Sequence, residues 1–383
     1  MKKIKYIFAT TTPITFFGSS LVASSCSQEQ EKSEIKLRIY APYSNETQKE
    51  EFKKSFNEKL KEKENNFKIN FDFSTSDDYL SNVNAISNNE IDFAFVSSGA
   101  ILDKEDEIKE LGLKLGIQTH ARLFKGSLNE NNEKYSDGSN SDPLVKMAKN
   151  QEVLFKKYER SEWSSKNNPN KWNGSIFEEF YENNKSTPYQ RGMIYIVANQ
   201  EDKQKIEQAW FNKDFNKFLS FGIGIGKPSS GSKYILPEAL FKKHFGSQFK
   251  SFAALQTDPQ KSKNIKVASL KNINDQGNDK IKIYFDNEGI YTWTKVKNPD
   301  SLTPKNSDVK IYFLTTTDVL PYNVGLFNKS VSQEQIDIIT SILIELSQSK
   351  QDSIGISNGF AGYSNISKNP KDFWKTINET LNK

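Results

Sequence analysis

The stretch FGIGIGKPSSGSKYILPEALF, residues 221–241, decides how the rest of the chain is read. A short apolar run ends in a serine-rich glycine turn and then takes up helical spacing. A helix start leaves backbone N–H groups unpaired and carries partial positive charge, so an anion resting there is stabilised without a cationic side chain. Ser229, Ser230 and Ser232 add hydroxyl donors, Gly231 permits close backbone approach, and Lys227 and Lys233 flank the turn. The stretch therefore reads as a phosphate cradle. It is not a nucleotide loop. GxxxxGK[ST] fails because Pro228 follows Gly226-Lys227 and Phe221 replaces the first glycine; GxGxxG fails because Gly222, Gly224 and Gly226 are spaced by two. A plain serine N-cap is the alternative these residues leave open.

Outward from that turn, the N-terminus begins MKKIK and runs through a mostly apolar stretch to Ala23-Ser24-Ser25-Cys26. This pattern predicts a secretory signal over residues 1–25, too short and interrupted for a membrane span. Cys26 is the single cysteine of the 383 residues and follows small residues, as in a bacterial lipobox, although Ala23 stands where Leu or Val is usual. Lipidation of Cys26 and an extracytoplasmic, membrane-anchored location are expected, with 26–33 as the tether. Loss of residues 1–25 removes Lys2, Lys3 and Lys5 and no acid, which takes three charges from the formal +5 and leaves +2. Lys and Glu are mixed along the mature chain, so nothing marks a nucleic-acid surface.

The mature chain is long enough for two domains. Residues 35–40 alternate like a strand, 46–62 have amphipathic helical spacing, and 67–73 alternate again, which makes a βαβ unit and places ligands near strand carboxyl ends. Residues 79–86 read as helix and 91–96 as a buried strand that runs into Ser97-Ser98-Gly99, a second Ser-Ser-Gly corner. Two such corners suit a cleft between α/β lobes. Further strands are expected at 192–199, 281–285 and 310–314, the last leading into the segment 315–323, with helices at 333–349 and 371–382. The expected division is lobe I over 34–198 with a surface insertion at 129–184, lobe II over 199–312, and a return to lobe I over 313–383. Chain crossings are expected near Tyr195 and Tyr312.

Three segments together resemble the phosphonate-binding-protein type of ABC-importer solute-binding protein: 91–100, the turn at 227–237, and 317–323, where Asp318 precedes Pro321 and Asn323. The whole chain, with its lipobox and Lys- and Asn-rich composition, is similar to the mollicute high-affinity transport lipoproteins, the group that includes the thiamine-binding lipoprotein Cypl. The resemblance implies a periplasmic-binding-protein-like α/β fold of type II. Two lobes would close over a small solute, thiamine or its phosphorylated form thiamine diphosphate, with a phosphonate or phosphate ester as the alternative ligand of the same transporter class, and a monomer would hand it to an ABC permease without any cofactor. It also implies a ligand contact for Asp318. A diphosphate suits residues 229–232; the rings need aromatic platforms, for which Tyr43, Trp293 and Tyr322 are candidates; Ser97, Ser98 and Asn323 complete the set.

Two other classes are weighed beside it. An enzyme finds little support: there is no HExxH, GxSxG or cysteine-based zinc pattern, and His244 sits near a helix C-terminus, where the dipole favours its charged form. A surface adhesin is the other class, suggested by Trp163 and Trp172 in the insertion.

Overall fold

The run GMIYIVA, residues 192–198, shows why the chain folds around buried sheets. In the computed structural model, Met193, Tyr195 and Val197 pack into one apolar cluster, while Ile194, Ile196 and Ala198 pack into another. Successive strand side chains point to opposite faces, so a continuous apolar run requires cover on both. Residues 93–96 repeat the device: Phe93 and Phe95 join one cluster, Ala94 and Val96 a second. The structure describes residues 32–63, 66–76, 78–126, 133–157, 180–291 and 302–381.

The first half contains β1 (Glu34–Tyr40), α1 (Glu46–Glu62), β2 (Lys68–Ser74), α2 (Tyr79–Ser87), β3 (Phe93–Val96), α3 (Glu105–Glu110), β4 (Lys114–Phe124), α4 (Pro143–Phe155), β5 (Tyr181–Thr187) and β6 (Tyr189–Ala198). There follow α5 (Gln200–Phe211), α6 (Phe215–Leu219), β7 (Ile223–Ile225), α7 (Leu236–Phe245), α8 (Phe252–Thr257), β8 (Ile265–Val267), β9 (Ile283–Asn287) and β10 (Lys310–Pro321). The chain closes with β11 (Val324–Phe327), α9 (Gln333–Gln348), α10 (Ser353–Ser357), β12 (Gly362–Asn365) and α11 (Lys371–Leu381). Caps mark the helix starts: Asn45 with Gln48 and Ser332 with Gln335 form capping boxes on α1 and α9. Among the described residues no helix is long and apolar enough to cross a membrane.

One sheet runs β12-β4-β11-β3-β1-β2, with β5 beside β4; the other runs β10-β6-β9-β7-β8. The β1-α1-β2 unit is parallel, with Glu34 opposite Lys68 and Tyr40 opposite Ser74. β3 also runs parallel to β1, whereas β11 lies antiparallel between β3 and β4. The chain passes between sheets twice, at Pro188 between β5 and β6, and at Tyr322-Asn323 between β10 and β11. These crossings are tied together by the Tyr322 N–H, which donates to the Pro188 carbonyl at 2.8 Å.

Three expectations differ from the structure. The crossings lie at 188 and 322–323 because β6 and β10 pair along their whole lengths, which leaves Tyr195 and Tyr312 inside the second sheet. The segment 315–321 is strand: β10 continues through it with register shifts between Phe313 and Thr315 and between Thr316 and Val319. Within the expected insertion, α4 is core, with Leu144, Met147 and Ala148 unexposed and the Thr316 hydroxyl donating to the Leu144 carbonyl at 3.2 Å.

Candidate functional site

Between the sheets lies a cavity of about 790 Å³, walled by residues near both crossings. This volume falls in the range of small-molecule sites. From the first sheet come Tyr40 and Tyr43 at the end of β1, Arg122 and Phe124 on β4, and Asn358-Gly359-Phe360 after α10. From the second come Gln190 and Arg191 on β6, Lys271 and Asp275 after β8, and Asn287 to Ile290 at the end of β9. Tyr322 and Asn323 of the crossing segment complete it. Strand ends supply most of this wall, as open α/β sheets do.

Tyr43 is half exposed on the turn after β1. Tyr322 meets Phe360 edge-on, with centroids 5.9 Å apart, and burial pushes its phenol up to about 12, so it stays neutral at ordinary pH. Asn323 is buried; its carbonyl accepts the Thr119 N–H at 2.9 Å, which fixes the crossing to β4. The guanidinium of Arg191 donates to the carbonyls of Thr317 at 2.7 Å and Glu133 at 3.2 Å. Asn358 donates to the Tyr40 carbonyl at 2.6 Å, and its own Oδ1 is buried without a partner among the described residues.

The serine turn lies behind this wall. Residues Gly231–Ile235 form a single π turn in which the N–H groups of Tyr234 and Ile235 both reach the Ser230 carbonyl, at 3.2 and 3.0 Å. The Ser230 hydroxyl caps the Lys233 N–H at 3.3 Å, and the Ser232 hydroxyl donates to Asn287. Among the described residues, the amides of Gly231 and Ser232 have no protein acceptor, as the turn geometry anticipates. Gln190 covers that end: a Cβ on Gly231 would stand 3.2 Å from its amide nitrogen. The first-sheet corner packs onto the same turn, since a Cβ on Gly99 would stand 2.6 Å from the Ser229 carbonyl oxygen. Ser98 is buried and donates to the Pro321 carbonyl at 2.7 Å, while Ser97 caps the 3-10 turn through the Gly99 N–H.

Of the residues singled out in the sequence, Tyr43, Tyr322 and Asn323 therefore meet on the cavity wall. Ser97, Ser98, Ser229, Ser230, Gly231 and Ser232 converge on one another; the cavity touches their neighbours Gln190 and Asn287 instead. Asp318 sits apart from the cavity wall because the β10 bulge turns its carboxylate toward the Tyr135 N–H at 2.8 Å and the Lys243 ammonium at 2.7 Å. His244 also departs from expectation: it stacks on Trp210 with centroids 3.7 Å apart, and burial pulls its pKa down to about 4. Trp293 and Cys26 lie outside the described residues. Sequence reading missed Gln190, Lys271, Asn287 and Asn358. The Asn358-Gly359 turn signal pointed to one; the others carry no motif.

Two α/β units joined by paired crossing segments, with an aromatic and polar cavity between them, define a two-lobed solute-binding protein of the periplasmic-binding-protein kind. The chain belongs to the CypI family of extracytoplasmic thiamine-binding lipoproteins, whose model matches residues 44–382. It is 32% identical over 329 residues to the high affinity transport system protein p37 of Mycoplasma pneumoniae, covering 82% of each chain. To the p37 protein of Mesomycoplasma hyorhinis it is 33% identical over 342 residues, which covers 87% of this chain and 81% of that one. Among solved structures, Mh-p37 of Mycoplasma hyorhinis, described as a candidate thiamine pyrophosphate transporter, superposes with a TM-score of 0.84. It is 26% identical, over 92% of this chain and 99% of that one. The protein is thus a solute-binding component of a transport system, in a family of binding proteins and not of enzymes.

Proposed function

We propose that the protein captures thiamine diphosphate in the interlobe cavity and delivers it to an ABC permease while held at the membrane by a lipid on Cys26. The single observation that carries this reading is the composition of the cavity. It combines aromatic faces at Tyr43, Tyr322 and Phe360 with cations at Arg122, Arg191 and Lys271 and the acids Asp275 and Glu288. An aminopyrimidine and a thiazolium cation are favoured by aromatic faces and nearby carboxylates, and a diphosphate by cations. Tyr43 and Tyr322 would face the rings, with Asn323 donating or accepting beside them. Ser97, Ser98, Ser229, Ser230, Gly231 and Ser232 would shape the cleft floor through Gln190 and Asn287, and Asp318 would hold the segment around Tyr135 against lobe II. The family membership and the p37 likeness support the ligand class.

Calorimetric titration tests the reading. Thiamine diphosphate should bind saturably at one site per chain, and Tyr322→Ala should weaken it about tenfold or more through loss of an aromatic contact. Absence of saturable binding by both thiamine and its diphosphate would overturn it.

A further inference from the structure

Lys271 stands out among the charged groups of the cavity. It follows β8 in the 3-10 turn Leu270–Asn272, on the second-sheet wall. Its side chain opens to the cavity, yet the surrounding protein desolvates it enough to pull its pKa below the ordinary lysine value. Among the described residues its ammonium has no hydrogen bond and no ion pair. Two acids of the cavity wall are already engaged. Asp275 accepts from Asn272 Nδ2 at 2.6 Å and Glu288 accepts from Gln151. Asp286, whose field favours the charged form of Lys271, takes the Asn287 N–H at 2.9 Å and lies 3.4 Å from Lys233 Nζ through one oxygen, while its buried Oδ2 has no hydrogen-bond partner among the described residues.

An exposed ammonium with no ion pair on a cavity wall has its charge available to an anion that enters. Arg122 reaches the same cavity from β4, on the other sheet. We infer that Lys271 is the anion-recognising residue of the cavity: it receives the terminal phosphate of the solute on the lobe II wall and so selects a phosphorylated form over the unphosphorylated one. This inference rests on the proposed function for the ring end of the solute, but the anion contact can be measured without it. The serine turn, screened by Gln190 and Asn287, is then a support for the wall and not the first anion contact.

Three probes separate the possibilities: inorganic diphosphate, thiamine and thiamine diphosphate, each titrated against the full chain and against Lys271→Gln and Lys271→Arg. Lys271→Gln should weaken inorganic diphosphate and thiamine diphosphate by about ten- to a hundredfold, the scale of one charge-assisted contact, and leave thiamine within about twofold. Lys271→Arg should recover most of the loss, and both variants should melt within a degree or two of the parent. Equal affinity of Lys271→Gln and parent for diphosphate overturns the inference. So does no diphosphate binding by the parent, or an equal loss for thiamine together with a lowered melting temperature, which would mark Lys271 as a structural partner of Asp286. Failure of thiamine alone, with diphosphate binding lost in Lys271→Gln, would retain the anion subsite and reject the ring assignment.

Discussion

At the scale of single residues, the most informative side chain outside the cavity is His244. It lies against Trp210, its Nε2–H donates to the Trp210 carbonyl (2.8 Å), its Nδ1 in the neutral ring accepts from the Tyr135 hydroxyl (3.0 Å), and it is almost unexposed. Desolvation outweighs the helix C-terminus here, because the dipole supplies at most about 2 kcal/mol while burial penalises the imidazolium by more. The folded pKa of about 4 lies below the ordinary histidine value of 6.5, so the unfolded chain binds the proton more tightly. Stability from this group is complete above pH 6.5 and drains away as pH falls toward 4, by on the order of 3 kcal/mol. Urea midpoints at pH 7 and pH 4.5 should therefore diverge more for the parent than for His244→Gln. Identical pH slopes in the two proteins would show that His244 is not the group responsible.

At the scale of elements, α4 carries the clearest lesson. Its neighbourhood is rich in Asn, Ser, Lys and Glu, which suggested a surface insertion, but Leu144, Val145, Met147 and Ala148 within it are all buried against β10. Met147→Ala should cost about 2–4 kcal/mol in urea unfolding, as expected for a large-to-small change in a core; a cost under about 0.5 kcal/mol would restore the surface reading. Elements with strong local signals were legible: β1, α1 and β2, with their alternation and the Asn45 cap, and α9 with the Ser332 cap. β4 was not, since KLGIQTHARLF mixes polar residues into a strand whose partners β11 and β12 arrive more than 200 residues later. The bulged end of β10 lies outside the expected strand, which stops at Leu314, for a related reason: TTTDVLP carries turn residues, and only pairing with β6 keeps it extended. The cavity was legible in its aromatic members near strand ends and illegible in Lys271 and Asn287, whose significance comes from which wall the fold places them on.

At the scale of the whole molecule, the two sheets meet, among the described residues, at the tied crossings, at the cavity, and at the contact between the Ser-Ser-Gly corners, while α11 and the Phe124–Tyr181 pair add packing across the same divide. The contact between the corners has no slack. Gly99 lies so close to the Ser229 carbonyl that a Cβ would stand 2.6 Å from it, with Ile235 Cδ1 at 2.9 Å and the Gly231 nitrogen at 3.4 Å. Two of those three atoms are backbone, so no rotamer change relieves the clash, and the lobes themselves must separate. Overpacking of this kind costs about 1–3 kcal/mol when the contact is kept. A protein that binds by closing its lobes meets that cost only in the closed, liganded state, while the free protein can relax by opening. Gly99→Ala should therefore leave the melting temperature of the free protein nearly unchanged and weaken thiamine diphosphate by roughly five- to a hundredfold, with a correspondingly smaller ligand-induced rise in melting temperature. The opposite pattern, a large fall in the free protein's melting temperature with affinity preserved, would mean that the corners belong to one rigid core and that binding does not work through closure at this contact.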